Sequence, residues 1–122
     1  MSAGEMYFQA LEPQEWYSAD AVIYRAVKSE GSVNLLYRGK IVDSGYTFEG
    51  KLTLQLTLSP QSIKAVYSGK YADGSVDTNK NFELVGRFRD TSFTSFEGKW
   101  TEIIEGSIAD YDFFIEELAF GE

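Results

Sequence analysis

The strongest constraint in this sequence is an alternation. From Tyr46 to Leu58 every second residue is apolar or glycine (Tyr46, Phe48, Gly50, Leu52, Leu54, Leu56, Leu58), with Thr47, Glu49, Lys51, Thr53, Gln55 and Thr57 between them. A period of two sends successive side chains to opposite faces of a strand, so one face suits a core and the other suits water. Thirteen residues at about 3.3 Å each would reach ~43 Å, well beyond an ordinary strand. Such a strand has to bend, and Gly50 is the natural place.

The same pattern recurs in Val33-Leu35-Tyr37-Gly39-Ile41, Ile63-Ala65-Tyr67-Gly69-Tyr71, Phe82-Leu84-Gly86-Phe88 and Phe96-Gly98-Trp100. Asp20 to Lys28 is more apolar on both sides, and Ser107 to Leu118 mixes aromatics with acids. Turn residues separate these runs at Asp43-Ser44-Gly45, Ser59-Pro60, Asp73-Gly74-Ser75, Asp90-Thr91-Ser92 and Glu105-Gly106-Ser107. Only Leu11 to Ala19, with Pro13 early, has the pattern of a short helix. The expected fold is therefore all-β: residues 1–122 as one domain, an antiparallel meander of seven strands, or eight with Met6 to Ala10. The meander is expected to close, or nearly close, into a calycin-like barrel, with one short N-terminal helix.

Five segments share a unit of apolar residue, any residue, Gly, base, apolar residue: Tyr37 to Ile41, Phe48 to Leu52, Tyr67 to Tyr71, Leu84 to Phe88 and Phe96 to Trp100. In a simple meander the five glycines would lie opposite one another as a row on the inner face. Glycines there let long strands coil, with neighbouring rings covering the bared backbone. They would also floor a pocket for a small apolar or aromatic ligand, lined by Tyr37, Tyr67, Tyr71, Phe88 and Trp100. Strands with Gly-x-aromatic units resemble avidin and lipocalin barrels in style. Tyr67 to Gly74 is also similar to the start of a MORN hairpin, but the glycine spacings of 11, 19, 17 and 12 are irregular where that repeat is constant.

The chemistry open to such a barrel is narrow, because the chain has neither Cys nor His. Thiolate nucleophiles, Ser-His-Asp and Cys-His triads and the usual zinc and haem sites are excluded, leaving carboxylates, Lys, Tyr, Ser and Thr. No cofactor is implied. Met1 to Glu5 has no basic segment and no apolar stretch of a signal peptide, and no later run suits a membrane helix, so the expected location is the cytoplasm.

Glu102 shares the phase of Phe96, Gly98 and Trp100, so it is the one candidate for an inward carboxylate; a strand that frays before it would leave it solvated, the more ordinary outcome. No second acid is in phase for paired-carboxylate chemistry. With tyrosines it would make at most a cofactor-free lyase or isomerase.

Charge points elsewhere. The net charge is −8, from 11 Lys and Arg against 19 Asp and Glu, and seven of the acids follow Lys99 with no base among them. That balance disfavours nucleic acid. In the last strand Asp110, Asp112, Phe114 and Glu116 fall on the outer face. They suit either an edge strand guarded by charge or a surface that docks a basic protein, as small inhibitors do. Asp110 and Asp112 alone are too few oxygens for a cation site. Lys40, Lys51, Lys70, Arg87 and Lys99 would form a solvated outer row, balanced by Glu49, Glu83 and Glu97. The leading expectation is a non-catalytic binding protein that uses this acidic face, followed by a ligand carrier and then by an enzyme. Free sheet edges would also permit a dimer.

Overall fold

The computed structural model describes residues 3–10, 19–41, 45–104 and 107–120. It contains β1 (Gly4–Ala10), β2 (Ala19–Ser29), β3 (Ser32–Ile41), β4 (Thr47–Gln55), β5 (Gln61–Lys70), β6 (Val76–Phe88), β7 (Phe96–Ile104) and β8 (Ser107–Glu116). Each strand pairs antiparallel with the next, and β8 pairs back onto β1 through Tyr7 opposite Phe114 and Phe8 opposite Phe113. The result is a closed barrel in chain order. The expected helix at Leu11 to Ala19 lies outside the described residues except for Ala19, which opens β2.

Closure corrects one expectation about β8. That strand has β7 on one side and β1 on the other, so its acids do not guard an edge. It also removes the edge-to-edge route to a dimer, because a closed sheet offers no unpaired ladder.

Alternation delivers the core. Ile23, Val33, Leu35, Tyr37, Leu54, Leu84, Phe96, Phe113 and Ile115 are fully excluded from solvent. In β2 the inward phase slips: Ala21 and Ile23 point in, then Ala26, because an extra residue sits between Ile23 and Arg25 in the pairing with β3. This bulge is why the segment looked apolar on both sides.

The glycines do not form one row. Only Gly86 and Gly98 face each other. Gly39 instead opposes Phe48, Gly50 opposes Tyr37 and Tyr67, and Gly69 opposes Phe48 and Asp77. Rings cover the bare backbone: the Tyr37 ring tip lies against Gly50 and the Tyr46 ring against Gly69, each where a Cβ would otherwise stand. The space above the glycines is thus occupied by side chains.

Trp100 sits at the centre of that packing. It stacks on Phe82 with ring centroids 3.6 Å apart and planes at 8°, and meets Phe8 edge-on at 4.9 Å. Phe113 lies 5.3 Å away, Tyr37 6.1 Å and Tyr67 6.4 Å. Ring pairs of this kind add roughly 0.5–1.5 kcal/mol each beyond the area they bury.

Candidate functional site

The polar chemistry of the interior gathers at one end of the barrel, where β3, β5 and β7 finish and β4, β6 and β8 begin. Glu102 is the anchor. β7 continues past it to Ile104, holding Glu102 between Phe82 of β6 and Ala109 of β8, so the strand does not fray and the carboxylate keeps the inward phase of Trp100. Tyr67 Oη donates to Glu102 Oε1 at 3.0 Å and Trp100 Nε1 donates to the same oxygen at 3.4 Å. Burial pushes the Glu102 carboxyl above the usual range, and these two hydrogen bonds and the Lys80 charge offset part of the rise.

Tyr37 completes this group from β3. Its side chain is fully buried, and its hydroxyl has no hydrogen-bond partner among the described residues. Burial, and then the Glu102 charge, push its phenol far above the ordinary value. Leaving a buried hydroxyl unpaired costs about 1–3 kcal/mol, so an unpaired one in a well-packed barrel marks a place where a polar partner belongs.

A second acid was missed from the sequence. Lys80 opposes Tyr67 while Asp77 opposes Gly69, so β6 spends one more residue than β5 over this stretch. That bulge turns Asp77 toward the barrel end. Tyr46 Oη donates to Asp77 Oδ2 at 3.0 Å, Tyr71 Oη donates to it at 3.3 Å, and Lys80 Nζ lies 3.4 Å from Oδ1. Lys80 was readable by carrying the phase of Phe88, Gly86, Leu84 and Phe82 two residues back; Asp77 was not, because no residue type announces the bulge.

Of the residues expected to line a pocket, the structure brings together Tyr37, Tyr67 and Trp100. Tyr71 is 49% exposed and reaches the group only through Tyr46, whose ring it meets at 5.0 Å, and through Asp77. Phe88 is buried at the opposite end, packed on Phe93 and Phe96.

On the outer face of β8 the expected acids are partly engaged. Glu116 takes hydrogen bonds from Arg89 at 2.8 Å and from Ser95 at 2.9 Å, and Asp110 accepts from Thr101 at 2.8 Å. Asp112 stands opposite Lys99, and Phe114 is half-buried beside Tyr7 rather than free among acids.

The outer row of bases is balanced in part as expected, by Arg87 opposite Glu97. The ion pairs among the described residues all fall between Asp77 and Glu116: Lys80–Asp77, Arg87–Glu97, Arg89–Glu97 and Arg89–Glu116. Arg38, Lys40 and Lys70 line an open concavity of about 580 Å³ on the outside of β2 to β6, together with Gly39, Phe48 and Gly69. It is a surface groove, separate from the buried polar group. Among the described residues no three acids converge to hold a metal ion, and no helix is long and apolar enough to cross a membrane.

Comparison with protein-family models, with curated proteins and with solved structures finds no match.

Proposed function

We propose that this chain is a non-catalytic binding barrel whose site is the polar end bounded by Tyr37, Tyr67, Trp100 and Glu102. Its ligand is small, with a flat apolar or aromatic body and a hydrogen-bonding head. The observation that carries this reading is the Tyr37 hydroxyl, buried without a partner among the described residues on a ring 6.1 Å from Trp100, whose indole N–H and the Tyr67 hydroxyl both donate to Glu102. A ligand head placed there would satisfy Tyr37 and meet Glu102, while its body would add to the ring cluster.

Catalysis is the weaker account. Burial and the neighbouring Glu102 raise the Tyr37 and Tyr67 phenols further from ionisation, which removes them as bases near neutral pH.

The test is a set of phenyl-ring probes with different heads, followed by amide and indole NMR shifts. Binding that moves the Trp100 indole N–H and the amides of Tyr37, Tyr67 and Glu102 supports the site. Shifts confined to Arg38, Lys40 and Lys70, or none, overturn it.

Docking of a basic protein by the last strand keeps one specific support. Tyr7 is 46% exposed and lies directly opposite Phe114, with Glu5, Asp112 and Glu117 around the pair. An aromatic pair rimmed by acids is the composition of an interface anchor. Asp112→Lys and Phe114→Ser should then leave the fold intact and abolish capture of a salt-sensitive basic partner; unchanged capture removes the reading.

A further inference from the structure

We infer that the ligand head at the barrel end is a cationic amine, held between the Glu102 carboxylate and the surrounding rings. The inference rests on the binding site proposed above and names its ligand class.

Charge balance is the first step. Among the described residues the charged groups that face this end are Glu102 from β7 and Asp77 and Lys80 from β6. The others close to them are phenols: Tyr37 from β3, Tyr46 from the residue before β4, Tyr67 from β5, Tyr71 from the segment after it and Tyr111 from β8. Lys80 is committed to Asp77 at 3.4 Å, and among the described residues Glu102 has no cation within ion-pair distance. An ionised carboxylate in that position lacks the partner that buried charges ordinarily require.

Hydrogen-bonding capacity is the second. Both donors to Glu102 fall on Oε1, leaving Oε2 without a donor among the described residues. The missing partner is therefore a donor as well as a positive charge. An ammonium head supplies both, with N–H groups that Oε2 can accept and a positive charge beside the carboxylate.

The third step is the wall. Tyr37, Phe48, Tyr67 and Trp100 form one connected ring cluster, with Phe48 lying 6.4 Å from Tyr37 and 5.9 Å from Tyr67. Aromatic faces attract a cation and also cover the apolar body behind it. A carboxylate or phosphate head would instead be placed against Glu102 and repelled. The net charge of −8 further favours encounter with cations.

The experiment is isothermal titration of the full chain with three probes of one shape: phenethylamine, phenethyl alcohol and phenylacetate. The amine is expected to bind most tightly, with affinity that increases as pH rises through the Glu102 titration. Protons are released on binding in that window, read from the dependence of heat on buffer ionisation enthalpy. Glu102→Gln keeps an acceptor for Tyr67 and Trp100 but removes the charge, and should weaken the amine by roughly tenfold or more while barely changing the alcohol. Should the alcohol or phenylacetate match the amine, or should the amine bind without proton release near the Glu102 titration, the inference fails while the binding site stands. If no probe binds, the proposed site fails and the inference goes with it.

Discussion

The Tyr67 hydroxyl donates to Glu102 across the barrel end at 3.0 Å, joining β5 to β7, strands that are not neighbours in the sheet. The bond bridges over β6, and it exists only because Glu102 keeps the inward phase of Trp100. It also places a carboxyl where water is scarce.

That placement sets a pH dependence. The folded-state pKa of Glu102 is raised above its unfolded value, so the folded protein binds this proton more tightly than the unfolded chain. Its contribution to stability is fully present below the unfolded value and is lost as pH rises through the folded one. Asp73 and Asp90 have the opposite sign: hydrogen bonds from Ser75 and from Thr94 lower them, so their contributions are present above the unfolded value and lost as pH falls through the folded one. Thermal melts of the wild type and of Glu102→Gln across this range should differ by a curve that declines with rising pH. Parallel curves would show that Glu102 titrates normally.

The glycines divide into two kinds. A Cβ on Gly86 would meet the Glu97 carbonyl and the Gly98 backbone, and a Cβ on Gly98 would meet the Val85 carbonyl. Neither contact can be relieved by turning a side chain, so Gly86→Ala and Gly98→Ala should each cost about 3 kcal/mol. Gly31 sits at φ +67° with nothing near a Cβ, and Gly31→Ala should cost only about 1 kcal/mol, through the positive φ alone. Denaturant melts of the three variants check the ranking.

Those glycines also show how far the sequence was legible. Period-two alternation located seven strands and an optional eighth, with inward faces for most of them, because side-chain direction in a strand is a local property. Register is not local. Matching glycine to glycine gave the right pairing for Gly86 with Gly98, where the Asp90 to Ser95 turn lies midway, but missed β3 with β4 by two residues, since Tyr37 and Gly50 are the true pair. Between β5 and β6 the error was larger: the Tyr71 to Ser75 turn, closed by the Tyr71 amide on the Ser75 carbonyl, fixes Gly69 opposite Asp77. The same bulge that hid this register hid Asp77 from the candidate site. Glu102 was visible from its phase; whether the strand would carry it inward depended on β8 pairing beyond it.

On the outer face, Arg89 joins β8 to the loop after β6, reaching Glu116 at 2.8 Å and Glu97 at 3.9 Å. All three side chains are more than a third exposed. Water and salt screen such pairs, so Arg89→Ala should cost no more than about 1 kcal/mol, and less at high ionic strength. A larger loss, unchanged by salt, would mean that the arginine stem rather than its charge holds the loop.

Tyr37→Phe separates stability from function. Removing the hydroxyl takes away a buried polar group that has no partner among the described residues, while the ring keeps its place among Phe48, Trp100 and Gly50. The variant should therefore be more stable than the wild type by about 1 kcal/mol, against the usual direction for a core substitution. The same variant should bind phenethylamine several-fold more weakly, with Glu102 still responding to pH. If Tyr37→Phe is destabilised and its ligand affinity unchanged, the hydroxyl has a structural role in the fold and the site must be redrawn around Glu102 and Tyr67 alone.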